Sequence, residues 1–343
     1  MSGKNGLHVA VVGATGLVGE LMLELLYERQ FPAAQVTALA SQRSQGKTVT
    51  YGAQELDVQA LADFDFRGVD IALFSAGGDI SKEFAPKAMA AGAIVIDNTS
   101  AFRYEPNIPL VIPEVNPEAL ASVKPGGAII ANPNCSTIQM LLAVKPIYDR
   151  YGVHSIDVAT YQSVSGMGRR AVEGLARQCA LLLNGRPIEE DVFGRQMAFN
   201  VVPHIDEMLD NGYSREEMKM VWETRKILND PSIEVNPTAV RVPVFFGHSE
   251  AVHIRTEEPV SVDDVRSLLA DAPGVEVVDA LGGRQYATAV EHASGKDPVF
   301  VSRIRPGVDD PYRINLWVVA DNVRKGAALN SIQIAELLVK TVL

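Results

Sequence analysis

Cys135 follows the turn Asn132-Pro-Asn134 and precedes Ile138, Leu141 and Leu142, whose spacing marks a helix. A thiol at the start of a helix faces the positive end of the backbone dipole, which stabilises the thiolate and lowers its pKa from the free value of about 8.5. That placement suits a nucleophile. Cys179, within Ala176-Arg-Gln-Cys-Ala-Leu-Leu182, reads instead as a small apolar packing residue. With only 2 cysteines the chain has neither a disulfide framework nor a thiolate metal site. Histidine, with a reference pKa of about 6.5, is the natural acid–base partner for a thiol. His248 lies in a turn between two strand-like segments and fits that role. His8 and His253 lie in strands and read as structural, and His154, His204 and His292 show no spacing that argues for chemistry.

A second chemical signal is Gly13-Ala-Thr-Gly16-Leu-Val-Gly19, set between an apolar run and an amphipathic stretch. Glycines at such a corner let the backbone approach a pyrophosphate, and the helix start offers N–H groups to the anion. Gly13 and Gly16 are therefore expected at a dinucleotide. A carboxylate at the end of the next strand would favour NAD, by holding the ribose 2′-hydroxyl. The chain has Ala40-Ser-Gln-Arg-Ser-Gln-Gly46 there, and Ser41, Arg43 and Ser44 suit a 2′-phosphate, so the expected cofactor is NADP.

The elements that position these residues follow from periodicity. Leu7–Val12, Val36–Ala40, Ile71–Phe74, Ile94–Ile96 and Ala128–Ala131 read as short buried strands alternating with helices. This predicts an α/β fold with a Rossmann-like doubly wound parallel sheet in residues 1–132. A helix from about Ser136 to Tyr148, a strand Ser155–Tyr161 and a helix ending near Leu183 open a second region. The alternation from Ala239 to Arg255 suits antiparallel strands with one solvated face. Asn315–Ala320 is a late strand. The expected second domain, residues 133–322, is α+β, and a closing helix at about 323–343 packs back on the first.

Composition sets the bounds. The 343 residues suffice for two domains; 47% are hydrophobic and 21% charged, which argues against disorder. The 31 basic and 42 acidic residues give a net charge of −11 and a pI near 5.1, which argues against nucleic acid or an anionic membrane as partner. No apolar run approaches the roughly 20 residues of a membrane helix, and Met1–His8 does not read as a signal peptide. The expectation is a soluble, cytoplasmic enzyme without a metal centre.

Asn132-Pro-Asn-Cys-Ser-Thr-Ile-Gln139 resembles the active-site segment of the aspartate-β-semialdehyde dehydrogenase family. The resemblance runs through Asn98–Arg103, Tyr161–Gly166, Glu223–Lys226, Arg241–Val244, Gly247–Glu250 and Asp321–Ala328, essentially the whole chain. It implies reversible NADPH-dependent conversion of aspartyl phosphate to aspartate semialdehyde and inorganic phosphate, on the route to lysine, threonine and methionine, by a homodimer. By resemblance Cys135 is the thioacyl nucleophile, His248 the acid–base group and Gln162 the residue that orients the acyl-enzyme. Arg241 and Glu223 would grip the carboxylate and amino group; Arg103 and Lys226 would hold the phosphate, with Lys219 an alternative to Lys226. Asn134 is placed with the substrate, and Thr15, Leu17, Val18, Ser165, Gly166 and Asn322 with the cofactor. Ser163 and Met167 stand where the family often has smaller residues, and Thr99 where it often has Ser. N-acetyl-γ-glutamyl-phosphate reductase shares the thiol chemistry, but its cysteine follows Pro-Gly rather than Asn134. A non-catalytic NADP-binding paralogue should have lost Cys135, Gln162, Arg241 or His248, which this chain keeps.

These roles impose one geometric demand. Arg241 and His248 are seven residues apart, or about 23 Å along a straight strand. They reach one small substrate only if the chain bends back, and a bend at Phe245–Gly247 is expected, with Gly247 as hinge.

Overall fold

The structure is a computed structural model that describes residues 6–189, 191–279 and 285–343. Most of the stretch without a signal-peptide pattern, residues 1–5, lies outside the described residues. Cα proximity divides the chain into one unit of Met1–Pro133 with Ala327–Leu343 and another of Asn134–Gly326. The sequence had set the break after residue 132 and the return at about 323.

The first unit begins with β1 (Leu7–Val12), α1 (Leu17–Glu28) and β2 (Ala33–Ala40). A hairpin follows, β3 (Thr48–Tyr51) and β4 (Gln54–Ala60), then β5 (Ile71–Phe74), α2 (Gly78–Ala90), β6 (Ile94–Asp97) and β7 (Ala128–Ala131). The sheet runs β3-β4-β2-β1-β5-β6-β7, with β3 antiparallel to β4 and every other pair parallel. Chain order reverses at β1, between β2 and β5, so a crevice opens at its carboxyl end, the usual ligand position in such sheets. Val9, Val11, Ile71, Leu73, Ile94 and Ile96 lie on the face that shares a core with Met22, Leu25 and Leu26 of α1. Alternate residues such as Ala10, Val12, Ala72 and Phe74 pack with Ala85 and Ala88 of α2 on the other. The period of two in each strand feeds both layers.

The second unit opens with α3 (Cys135–Tyr151), β8 (Val153–Gln162) and α4 (Arg169–Leu183). It continues through α5 (Arg215–Ile227), β9 (Glu234–Arg241), β10 (His248–Thr256), α6 (Val262–Asp271), β11 (Val275–Val277), β12 (Val299–Pro306) and β13 (Arg313–Ala320). The sheet order is β11-β12-β13-β10-β8-β9. β10 runs antiparallel to β8 and β13, as its alternation implies. β9 does not: it pairs parallel with β8, which corrects the antiparallel expectation for Ala239–Arg241. The chain reaches the sheet edge by way of α5, and such a crossover returns it in the same direction.

The expected bend is present. β9 stops at Arg241, β10 starts at His248, and Gly247 adopts φ 86°, a left-handed conformation that suits glycine. Val244 and Phe245 offer their carbonyls to the N–H groups of Val164 and Ser165. α7 (Leu329–Thr341) then returns to the first unit. Ile332, Ile334, Ala335 and Leu338 join the core on the α1 side. The closing helix starts later than the expected residue 323, because Arg324–Ala328 forms a wider π turn.

Candidate active site

Asn134 caps α3: its Oδ1 accepts the N–H groups of Ser136 (3.0 Å) and Thr137 (3.4 Å). Cys135 thereby becomes the first helical residue, and it is partly exposed. Gly326 lies against it; a Cβ added at 326 would stand 2.7 Å from the Cys135 Cβ, so only glycine leaves the thiol side chain its place. Gln162, the last residue of β8, donates from Nε2 to Ser136 Oγ (2.8 Å) and to Glu216 Oε1 (3.2 Å). The residue after the cysteine is thus tied to the sheet.

Arg241 and His248 converge from the two sides of the bend. An added Cβ at Gly166 would lie 3.3 Å from Arg241 Nη1 and 3.7 Å from His248 Nε2. Arg241 also donates from Nη1 to the Ser163 carbonyl at 2.8 Å. Burial lowers the pKa of its guanidinium, and the nearby Glu216 and Cys135 partly restore it. The His248 ring is fully buried. Burial and then the Arg241 charge depress its pKa to about 3, against Glu216 and the Gly247 carbonyl, which favour the charged ring. The imidazole is neutral at working pH, the state in which it can take a proton.

Met167, Ile205, Asp206, Glu216, Lys219 and Arg241 line a cavity of about 430 Å³, with Arg195, His204 and Gly166 also on its wall. Lys219 Nζ pairs with Glu216 Oε2 (2.9 Å) and Asp206 Oδ2 (2.8 Å). Burial alone would raise the Glu216 pKa. Lys219, with hydrogen bonds from Asn134 and Gln162, outweighs it and holds the carboxyl at about 2. The wall is amphoteric: Arg195, Lys219 and Arg241 with the carboxylates of Asp206 and Glu216 face a space that fits a small amino acid derivative.

The geometry separates the residues expected for substrate. Glu216, Lys219, Glu223 and Lys226 follow one another at three or four positions on one face of α5. Glu223 and Lys226 lie seven residues beyond the first pair, about 10 Å along the axis, and are not on the cavity wall. Glu223 Oε2 is taken by the Asn134 backbone N–H at 2.6 Å, which makes it a clamp on the α3 cap. The Ser214–Glu217 capping box fixes where α5 starts, and its Ser-x-x-Glu spacing is the sequence signal that identifies its first turn. His204, whose spacing argues for no chemistry, also reaches the wall. His8 and His253 bond Thr37 Oγ1 (2.9 Å) and Asn315 Oδ1 (2.6 Å), and Cys179 packs beside the Leu175 cluster.

The remaining residues divide between the two units. Ser165 and Asn322 are buried, and Asn322 Oδ1 accepts from the Gly247 N–H at 3.0 Å. In the first unit, Arg103 is buried and donates to the Asn98 carbonyl (3.0 Å). A groove of about 600 Å³ at the end of β1 is lined by Gly13, Thr15, Gly16, Ser41, Gln42 and Ser75, among others. A Cβ at Gly13 would sit 2.4 Å from the Ser75 carbonyl, and one at Gly19 would sit 2.1 Å from the Gly13 carbonyl. No side chain caps α1, so its first N–H groups remain for an anion. These features fit a dinucleotide. Leu17 and Val18 open α1, while Arg43 and Ser44 lie in the turn after Ser41, outside the groove wall. Among the described residues no group of three or more His, Cys, Asp or Glu could hold a metal, and no helix is long and apolar enough to cross a membrane.

Two family models match the chain: semialdehyde dehydrogenase, NAD binding domain, over residues 8–123, and semialdehyde dehydrogenase, dimerisation domain, over residues 144–325. An aspartate-semialdehyde dehydrogenase of Legionella pneumophila is 61% identical over 97% of this chain and 95% of its own. The Bacillus subtilis protein of the same name is 50% identical over 98% of each. The crystal structure of aspartate semialdehyde dehydrogenase II from Vibrio cholerae, complexed with ASA, is 55% identical, with a TM-score of 0.96 over 99% of this chain and 100% of that one. The chain belongs to the aspartate-semialdehyde dehydrogenase family of nicotinamide-dependent oxidoreductases that act on an aldehyde.

Proposed function

We propose that this chain catalyses the reversible NADPH-dependent reduction of L-4-aspartyl phosphate to L-aspartate 4-semialdehyde and inorganic phosphate, as a cytoplasmic homodimer in amino-acid biosynthesis. The observation that carries this reading is the convergence of Arg241 and His248 beside a capped, partly exposed Cys135. The Cys135 thiolate attacks the acyl carbon, phosphate leaves, and a thioester remains on sulfur. When bound, the cofactor supplies the hydride that reduces that carbon. His248 delivers and recovers the proton at the carbonyl oxygen and at sulfur. Gln162 holds Ser136, and with it the start of α3, in register beneath the acyl group.

Arg241 suits the α-carboxylate, a bidentate partner for a planar guanidinium. Glu216 and Lys219 replace Glu223 and Lys226 in the proposed substrate set: Glu216 suits the ammonium group and Lys219 an anionic oxygen. Arg103 keeps its proposed role toward phosphate. For the cofactor, Gly13, Thr15, Gly16, Leu17 and Val18 would hold the pyrophosphate. Ser41, Arg43 and Ser44 would hold the 2′-phosphate, and Ser165, Gly166 and Asn322 would lie toward the nicotinamide. The test is phosphate-dependent formation of NADPH from aspartate semialdehyde. Wild type should turn over, Cys135→Ala should not, and turnover of the N-acetyl-γ-glutamyl substrate alone would overturn the substrate assignment.

A further inference from the structure

Glu250 is a fully buried carboxyl that the proposed reaction does not use. It lies two residues beyond His248 on β10, so both side chains share one face of the sheet, the face that α3 covers. Across the strands it stands opposite Thr160 of β8 and Val318 of β13. Neither carboxyl oxygen has a hydrogen-bond partner among the described residues. Burial raises its pKa well above the ordinary carboxyl value, and the amide of Gln139 opposes this only in part. No charged group of β8, β10, β13 or α3 takes part.

Gln139 is buried as well, and its Oε1 and Nε2 likewise lack partners. It follows Cys135 by four residues, one turn on along the same face of α3 and about 6 Å further. α3 turns at Gly152 into β8, and β10 is antiparallel to β8, so α3 and β10 run in the same sense. Two residues of β10 cover about 6.6 Å. The step from Cys135 to Gln139 therefore matches the step from His248 to Glu250, and the second pair forms a rung beside the reacting one.

The protonation of Glu250 decides whether that rung closes. A carboxylate offers only acceptors, so Gln139 Oε1 would stay unmet and the buried charge uncompensated. With a proton the carboxyl has a donor and an acceptor, as the amide has, and the two groups match through O–H to Oε1 and Nε2–H to the carboxyl oxygen. Their present contact falls short of hydrogen-bond geometry. Both groups end in a soft terminal torsion, whose rotation brings them face to face. The carboxyl takes its proton from solvent before it is buried, and the reaction does not consume it.

We infer that Glu250 is a positioning residue: as an uncharged acid paired with Gln139, it locks the second turn of α3 to β10 and so fixes the stance of Cys135 toward His248. The Gln162–Ser136 bond ties the first turn to β8, and this pair ties the next turn to the neighbouring strand. The inference rests on Cys135 and His248 acting as nucleophile and acid–base group.

Its test reads the free protein as well as the reaction, in wild type, Glu250→Gln, Glu250→Leu and Gln139→Leu. Without substrate at pH 7, the infrared difference spectrum of wild type minus Glu250→Gln should show the carbonyl band of a protonated carboxyl. Relative to Glu250→Gln, the unfolding constant of wild type should rise by up to about tenfold per pH unit above about pH 4.3, because there only the unfolded carboxyl ionises. In turnover, Glu250→Gln keeps an uncharged pair and should hold kcat near that of wild type. Glu250→Leu strands Gln139 and should lower kcat about 10²-fold, the cost of misplacing a reacting atom by about 1 Å. KM should stay within about twofold, because Arg241, Glu216 and Lys219 reach the substrate from β9 and α5. Gln139→Leu breaks the pair from the helix side and should show the same loss. A carboxylate band in place of the acid band overturns the inference. So does an unchanged kcat in a folded leucine variant, or a Glu250→Gln protein as impaired as Glu250→Leu. Absence of wild-type turnover with aspartate semialdehyde sinks the proposed function instead, while the spectrum still reports the pair.

Discussion

At the scale of single residues, the site works by denying alternatives. Gly326 has no side chain because Cys135 occupies that space. Gly326→Ala should therefore leave the protein folded yet cut kcat by about 10²-fold, the usual cost of displacing a reacting atom by about 1 Å; steady-state kinetics beside a thermal melt would check it. His248 supplies a second prediction. Its folded pKa of about 3 lies below the unfolded value of about 6.5, so the unfolded chain binds more protons between those limits. Stability from this group is complete above about pH 6.5 and declines as pH falls toward about 3, with about 2 kcal/mol lost by pH 5. Urea unfolding at pH 7 and pH 5 should show that loss in wild type and a smaller one in His248→Gln.

At the scale of elements, the cap of α3 is where several parts of the second unit meet. Asn134 closes the helix start, donates from Nδ2 to Glu216 (3.0 Å) and is gripped through its own N–H by Glu223. Asn134→Ala should cost about 1 kcal/mol for the cap alone, and more because Glu216 loses a donor. The measurement is the midpoint of denaturant unfolding, and an unchanged midpoint would show that the cap does not stabilise α3. Much of this was legible beforehand: the Asn-Pro-Asn-Cys turn, the helix after it, the glycine loop and the bend before His248 all follow from residue type and spacing. Other elements were not. α2 buries Ser81, Ala85 and Ala88, small residues that leave no large apolar stripe, and Pro86 stands inside it. The β3–β4 hairpin has a solvated face, so its sequence reads as polar. Which residues of α5 face the cavity was not legible either: Glu-x-x-Lys recurs along one face, and only the three-dimensional path of the helix shows that Glu216 and Lys219 reach the wall while Glu223 and Lys226 do not.

At the scale of the whole molecule, two units carry separate cores and separate tasks. The first presents a phosphate-sized backbone cradle, and the second presents the thiol, imidazole and guanidinium. Leu338 of α7 is fully buried in the core of the first unit. Leu338→Ala should cost about 2–5 kcal/mol and weaken cofactor binding. Hydrogen exchange should report the damage as faster exchange in β1, β5 and β6; loss of protection confined to β8 and β10 would contradict this assignment.

The return of α7 has a consequence for synthesis. A ribosome delivers all of Met1–Pro133 and then the whole of Asn134–Gly326 before it makes the helix that shelters Ile94 and Ile96. Until then the nascent nucleotide unit carries a bare hydrocarbon flank, the kind of surface that draws chaperones and invites aggregation. The unit that is started first is therefore closed only after the second has been made, and cofactor capture waits on that closing helix.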